Sequence, residues 1–210
     1  MGTPTGRKEL LREGRRLEYL TLGWNLVEAL VAIGSGLAAG STALVGFGVD
    51  SLIESTSGAV LLWRLLGEEG GEEREGKALR LVGYSFLLLA AWVGWDGMSS
   101  LFGHEAPDQS IVGIVLATAS LLIMPVLARA KRRVAVGLGS KALEADSRQT
   151  DLCAYLSAIL LVGLLLNAFL GWWWADPVAA LAMVPIIGGE GLRSLRGEEC
   201  SDCHVDLPAD

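Results

Sequence analysis

Two acidic residues, Asp50 and Glu54, lie four positions apart in an otherwise apolar stretch. In an α-helix this spacing places both carboxylates on one face, about one turn apart in height. Carboxylates this close repel each other until a proton or a cation joins them. Because a divalent cation can bind there by displacing protons, the pair predicts a site that exchanges metal ions and protons. The alternative is two protonated acids that hydrogen-bond to neighbouring helices.

A second set of candidate ligands follows later in the chain. Asp146, Gln149 and Cys153 are spaced by three and four residues and therefore share one helix face, whereas Asp151 points roughly the opposite way. A carboxylate, an amide oxygen and a thiolate can all bind a borderline metal such as zinc. The alternative for Cys153 is a small apolar residue in a packed interior.

The elements that position these residues have the composition of membrane helices. Hydrophobic residues make up 51% of the 210-residue chain, and stretches 110–128 and 152–174 contain no charged residue. Each stretch is long enough to cross about 30 Å of hydrocarbon. The sequence therefore predicts an all-α membrane protein with six transmembrane helices, the first part of the fifth lying outside the bilayer. The predicted spans are 19–39, 42–66, 79–102, 110–128, 142–174 and 177–195.

The positions of Lys and Arg predict the orientation. All 17 lie in the first segment, near the second and fourth connections, or at the end of the sixth span, and the alternate connections have none. Positive charge marks the cytoplasmic side, so both termini are predicted to be cytoplasmic. The predicted organisation is a basic N-terminal segment (1–18), a transmembrane domain (19–195) and a short cytoplasmic tail (196–210).

Charged residues within the predicted spans need partners, because a charge at mid-bilayer costs about 2.5–3.5 kcal/mol on insertion scales. The charged residues of the first three spans that lie away from the cytoplasmic ends are all acidic, namely Glu28, Asp50, Glu54 and Asp96. No Lys or Arg is expected at comparable depth. The expected partners are protons, cations from solution, or nearby amides such as that of Asn25.

At this point the sequence resembles a known family. Residues 46–54 read GFGVDSLIE and resemble the second membrane helix of the cation diffusion facilitator (cation efflux) transporters, which carries an acid-x-x-x-acid pair. Residues 142–153 read ALEADSRQTDLC and are similar to their fifth helix, which typically reads A-D-x-x-H-x-x-x-D. The resemblance covers nearly all of residues 15–197, including the six-helix topology. It implies export of zinc or a similar divalent metal, usually against protons, by a homodimer that alternates access.

The resemblance also implies a set of site residues. Asp50 and Glu54 correspond to the acidic pair of helix two, and Gln149 and Cys153 stand where helix five usually has His and Asp; Asp146 is a further candidate ligand. The two replacements leave the metal preference and the proton-coupling residue open. Because only 14 residues follow Arg196, we expect a short form without the usual cytoplasmic C-terminal domain, which leaves the homodimer open as well.

The tail carries a separate Cys/His pattern. Cys200, Cys203 and His204 match the c-type haem attachment motif C-x-x-C-H. Haem attachment normally takes place outside the cytoplasmic membrane, whereas the charge distribution places this tail inside. The remaining interpretations are a metal site in the tail and an unstructured tail with reduced thiols. His104, in an outer loop, is interpreted as a solvated side chain.

Taken together, the residues and the resemblance predict an exporter of divalent cations, zinc foremost, in a bacterial-type cytoplasmic membrane. Transport would pass between helices two and five in exchange for protons. The partners would be the lipid bilayer, metal ions and protons, with no permanent cofactor and no nucleic acid. No nucleophile–base pair is present, so an enzyme is not expected. The alternative is a metal-binding membrane sensor or accessory protein that does not transport.

Overall fold

The computed structural model describes residues 4–66, 72–103 and 107–196, and within these ranges every regular element is an α-helix. The prediction of an all-α protein is therefore confirmed. The helices are α1 (Pro4–Ala39), α2 (Thr42–Leu66), α3 (Glu72–Gly103), α4 (Ile111–Leu138), α5 (Lys141–Leu170) and α6 (Ala175–Arg196).

Polar caps and glycines define the ends of α4 and α5. Ser110 and Ser140 precede these helices, and each side chain accepts a hydrogen bond from the backbone N–H three residues later. Gly139 and Gly171 end the two helices with φ values of 62° and 63°. Only glycine adopts this left-handed conformation readily, so these positions stop each helix at a defined residue.

The outer surface of the bundle is apolar. Within the described residues, five helices (α1, α3, α4, α5 and α6) are long and apolar enough to cross a membrane. Large apolar side chains face outward on several of them, among them Leu88 and Phe169, which are 72% and 81% exposed. Acidic side chains such as Glu28 lie in the interior instead. This inverted distribution is that of a multi-pass membrane protein whose surface contacts lipid.

Helices α1 and α2 are antiparallel and approach each other closely through glycines. A Cβ atom at Gly48 would lie 2.8 Å from Cγ1 of Ile33, and one at Gly58 would lie 3.4 Å from Cδ2 of Leu22. Small residues let membrane helices pack closely where dispersion contacts provide the attraction. These contacts set the register of α1 against α2.

Three helices have other bounds than the predicted membrane spans. Helix α1 begins at Pro4, well before residue 19, and α4 continues to Leu138, past the predicted end at residue 128. Hydropathy detects residues that prefer lipid, whereas Lys, Arg, Glu and Leu are good helix formers in any solvent. The basic residues 129–133 therefore extend α4 instead of forming a connection. The fifth helix also ends earlier than predicted, at Leu170, and the rings of Trp172 and Trp174 stack beyond it at 4.9 Å.

Candidate functional site

The predicted acidic pair lies on the buried face of α2. Asp50 is 6% exposed and Glu54 is 2% exposed. Oε1 of Glu54 accepts a hydrogen bond of 3.0 Å from the hydroxyl of Thr150 on α5. Its Oε2 atom has no hydrogen-bond partner among the described residues. Glu54 therefore faces α5, with one carboxylate oxygen unpaired among the described residues.

The candidate ligands on α5 lie in three different environments. Cys153 is buried, and its Sγ lies 3.6 Å from Oε2 of Glu28 on α1. Gln149 is partly buried, and its Nε2 has no partner in the described part of the chain. Asp146 is bound by Lys131. Asp151 is partly exposed and pairs with the half-exposed Arg132.

Glu28 lies where four helices meet. Its carboxylate accepts hydrogen bonds from Ser51 of α2 at 2.7 Å, from Ser120 of α4, and from the thiol of Cys153. Ser120 also accepts a hydrogen bond of 3.1 Å from the indole N–H of Trp24. The sequence identifies Glu28 as a charge within the membrane but does not place it in the site.

Lys131 contradicts the expectation that no basic residue lies at the depth of the acids. It is 0% exposed, and its Nζ lies 2.5 Å from Oδ2 of Asp146, 3.3 Å from Oε1 of Glu18 and 3.4 Å from the hydroxyl of Thr150. Since Thr150 also donates to Glu54, this ammonium group is one hydroxyl away from the acidic pair. The expectation fails because α4 continues through Lys131 and directs it into the bundle.

A second correction concerns the connection between the fifth and sixth helices. Asp176, which lies between the fifth and sixth predicted spans, is buried in the first turn of α6. Its Oδ1 accepts a hydrogen bond of 2.5 Å from Ser41. Nearby, Thr42 donates to Oδ2 of Asp96 at 2.6 Å. These bonds fasten the turn between α1 and α2 to α6 and α3.

The described residues do not form a closed metal cage. In the ranges 4–66, 72–103 and 107–196, no group of three His, Cys, Asp or Glu side chains is arranged to hold a metal ion. The candidates Asp50, Glu54 and Cys153 thus line the interior without converging on one point. The tail candidates Cys200, Cys203 and His204, and His104, lie outside the described residues.

The apolar surface and the buried acids place this protein in the class of membrane proteins that have a polar interior. Sequence comparison identifies the family. Residues 80–197 match the family described as the cation efflux transmembrane domain. Because this match covers more than half of the chain, the protein belongs to the cation efflux family, as the motifs predict.

Two relatives agree with this assignment. An uncharacterized transporter of Synechocystis is 26% identical over 206 residues, which cover 94% of this chain and 66% of the relative. The cation-efflux pump FieF of Shewanella oneidensis is 28% identical over 120 residues, which cover 55% of this chain and 38% of the pump. The chain thus spans less than two thirds of the length of these relatives. Both are bacterial, which is consistent with a bacterial plasma membrane.

Proposed function

We propose that this protein transports divalent metal cations such as zinc across a bacterial cytoplasmic membrane, in the direction of export and in exchange for protons. The site lies between α2 and α5 and comprises Asp50, Glu54, Gln149 and Cys153. The observation that carries the proposal is Glu54, a buried acid on the same face as Asp50 with one oxygen unpaired among the described residues. The similarity of this chain to a relative named cation-efflux pump FieF also supports the proposal.

The electrostatics of the interior favour a bound cation. The charge of Lys131 acts on Glu54, and the charges of Glu28, Asp50 and Glu54 act on one another within the bundle. Their hydrogen-bond donors include hydroxyls and a thiol. Such donors are neutral, whereas an isolated carboxylate is very costly in a medium of low dielectric. Alternate binding of metal ions and protons would neutralise these acids in turn, which is the basis of exchange. The metal is cargo in this scheme and not a resident cofactor, and the protein acts as a transporter, not as an enzyme.

Flux into sealed vesicles tests the proposal. The purified protein would be reconstituted with a lumenal metal dye and a pH dye, and zinc, manganese, iron, cobalt and cadmium would be added in turn. We expect metal entry with a matching pH change, lost in the double variant Asp50→Asn/Glu54→Gln and retained in Asp151→Asn, which alters an acid outside the site. Metal binding without flux would instead support the sensor or accessory protein.

The proposed topology has all six helices crossing the membrane with both termini in the cytoplasm, and the distribution of Lys and Arg supports it. The test uses the variant Cys153→Ala/Cys203→Ser, in which Cys200 is the remaining cysteine. We expect that an impermeant thiol reagent does not label Cys200 on intact cells. A cysteine introduced at Gln109, in the connection before α4, should be labelled from outside. Labelling of Cys200 from outside would reverse the orientation and return the tail to the haem interpretation.

A further inference from the structure

Helix α1 turns a stripe of polar side chains toward the interior. Its members are spaced by three and four residues, share one helix face and are all buried: Glu18, Thr21, Asn25 and Glu28. Polar residues in membrane helices that face the interior usually mark a functional pathway. None of them belongs to the site between α2 and α5 described above.

Asn25 differs from the other three members of the stripe. Glu18 is paired with Lys131, Thr21 donates to the carbonyl of Leu17 at 3.0 Å, and Glu28 accepts from Ser51. Asn25 is 0% exposed, and neither Oδ1 nor Nδ2 has a hydrogen-bond partner within the described residues. An unpaired buried amide is costly, and in a native protein such a group needs a specific explanation, of which a bound ion is one.

Asn167, another buried amide among the described residues, provides a comparison. Nδ2 of Asn167, on α5, donates to the carbonyl of Pro107 at 3.0 Å. That amide therefore has an ordinary structural role, since it joins α5 to the connection before α4. Asn25 has no such bond, so packing of the helices does not explain an amide at its position.

The register of α1 against α2 places Asn25 at the level of Glu54. Ser51 donates to Glu28, which joins the two helices at one level. Asn25 lies three residues before Glu28, and Glu54 lies three residues after Ser51. Because the helices are antiparallel, these equal steps bring both residues to the same next level, each on the face that turns toward the partner helix. Oε2 of Glu54, the unpaired carboxylate oxygen, is therefore level with the unpaired amide.

We propose that Asn25 and Glu28 of α1 are ligands of the transported cation, which is held with Glu54 between α1 and α2. This inference rests on the proposed function and extends its site from two helices to three. The amide oxygen and two carboxylates are oxygen donors suited to a divalent cation, and the two negative charges balance its charge. Binding requires both carboxylates to turn from their hydroxyl partners toward Asn25, which accounts for the open arrangement of the acids.

Zinc binding to the full chain in detergent tests the inference. Asn25→Leu should weaken zinc binding by at least about tenfold, the lower end of the loss that follows removal of an outer-shell contact of a metal site. The melting temperature should stay the same or rise, because the substitution removes an unpaired polar group. Asn25→Asp should retain zinc binding, because it keeps an oxygen at the same place.

Two further variants make the comparison specific. Thr21→Val lies one turn away on the same face and alters a hydroxyl whose bond stays within α1, so it should bind zinc as the wild type does. Glu28→Gln removes a proposed ligand charge and should weaken zinc binding at least as much as Asn25→Leu. If Asn25→Leu does not fold, Glu28→Gln decides the question.

The outcomes separate this inference from the proposed function. The inference is overturned if Asn25→Leu binds zinc as tightly as the wild type does. If Asn25→Leu does not fold, the same result in Glu28→Gln overturns it. A melting temperature well below that of the wild type in Asn25→Leu with no change in zinc affinity also overturns it, since the amide would then be structural. If the wild type shows no metal flux but zinc affinity still falls in both variants, transport is refuted and the α1 site stands.

Discussion

Two groups of buried charged side chains occupy the interior of the bundle and differ in what neutralises them. The lysine cluster, which joins α1, α4 and α5, consists of Glu18, Lys131, Asp146 and Thr150. The acidic cluster, whose charges act on one another between α1 and α2, consists of Glu28, Asp50 and Glu54. In the first cluster an ammonium group of the protein itself lies between two carboxylates. In the second, hydroxyls and a thiol are the donors to Glu28 and Glu54.

The two clusters are therefore suited to different roles, the lysine cluster to stabilising the fold and the acidic cluster to exchanging ions. A buried ion pair with good geometry repays part of its desolvation cost, and removing one partner leaves an uncompensated charge. The lysine cluster thus contains a counter-charge of its own and is suited to holding helices together. The acidic cluster can vary the ion that neutralises it, which a transport site requires.

Removal of the buried ammonium group of Lys131 should have the largest effect on the stability of the protein. Lys131→Met leaves Glu18 and Asp146 buried without their ammonium partner, and breaking a buried pair in this way typically costs about 3–5 kcal/mol. Unfolding by denaturant in mild detergent would measure the loss. Arg132→Met is the matched control, because the neighbouring pair of Arg132 with Asp151 is partly exposed and such pairs contribute about 0–1 kcal/mol.

Restoring neutrality should rescue the variant. Lys131→Met combined with Glu18→Gln and Asp146→Asn replaces the ion pairs by neutral groups, so most of the lost stability should return. Equal destabilisation by Lys131→Met and Arg132→Met would show that burial does not distinguish the lysine cluster from a surface pair.

Added zinc should stabilise the protein through the acidic cluster. A ligand that binds only the folded state contributes about 2.7 kcal/mol at a concentration one hundred times its Kd. Unfolding experiments with and without zinc should show this gain in the wild type and its loss in Asp50→Asn/Glu54→Gln. An equal gain in that double variant would place the zinc elsewhere, for example at the tail thiols, and Cys200→Ser/Cys203→Ser would then abolish it.

The smallest effect is expected at Thr150, whose hydroxyl touches both clusters. Thr150→Val removes its bonds to Glu54 and Lys131, and a hydrogen bond to a charged group contributes about 1.5–3 kcal/mol. We expect a loss near the lower limit, because Lys131 keeps its two carboxylate partners. Thr150→Ser retains the hydroxyl and should be close to the wild type in the same unfolding measurement. If Thr150→Val is as stable as Thr150→Ser, the two clusters are independent.

Several features could be predicted from the chain alone. Long apolar stretches predicted helices at the right places, and the spacing of Asp50 and Glu54 predicted a shared face that is buried in the structure. The motif residues predicted the cation efflux family, which the match over residues 80–197 confirms. These predictions succeed because hydropathy and helical periodicity are local properties, which do not depend on how helices pack.

The remaining features were decided by tertiary structure. Lys131 resembles a loop residue in sequence and becomes a buried cation because α4 continues past the apolar stretch and α1 and α5 supply carboxylates around it. Asn25 shares a helix face with Glu28, which the spacing shows, yet only the tertiary packing determines that its amide is buried and unpaired among the described residues. The sequence by itself determined where the apolar helical segments lie and which residues share a helix face. Whether a buried charge is neutralised by a partner within the protein or by an ion from solution depends on contacts between distant segments, which no local pattern encodes.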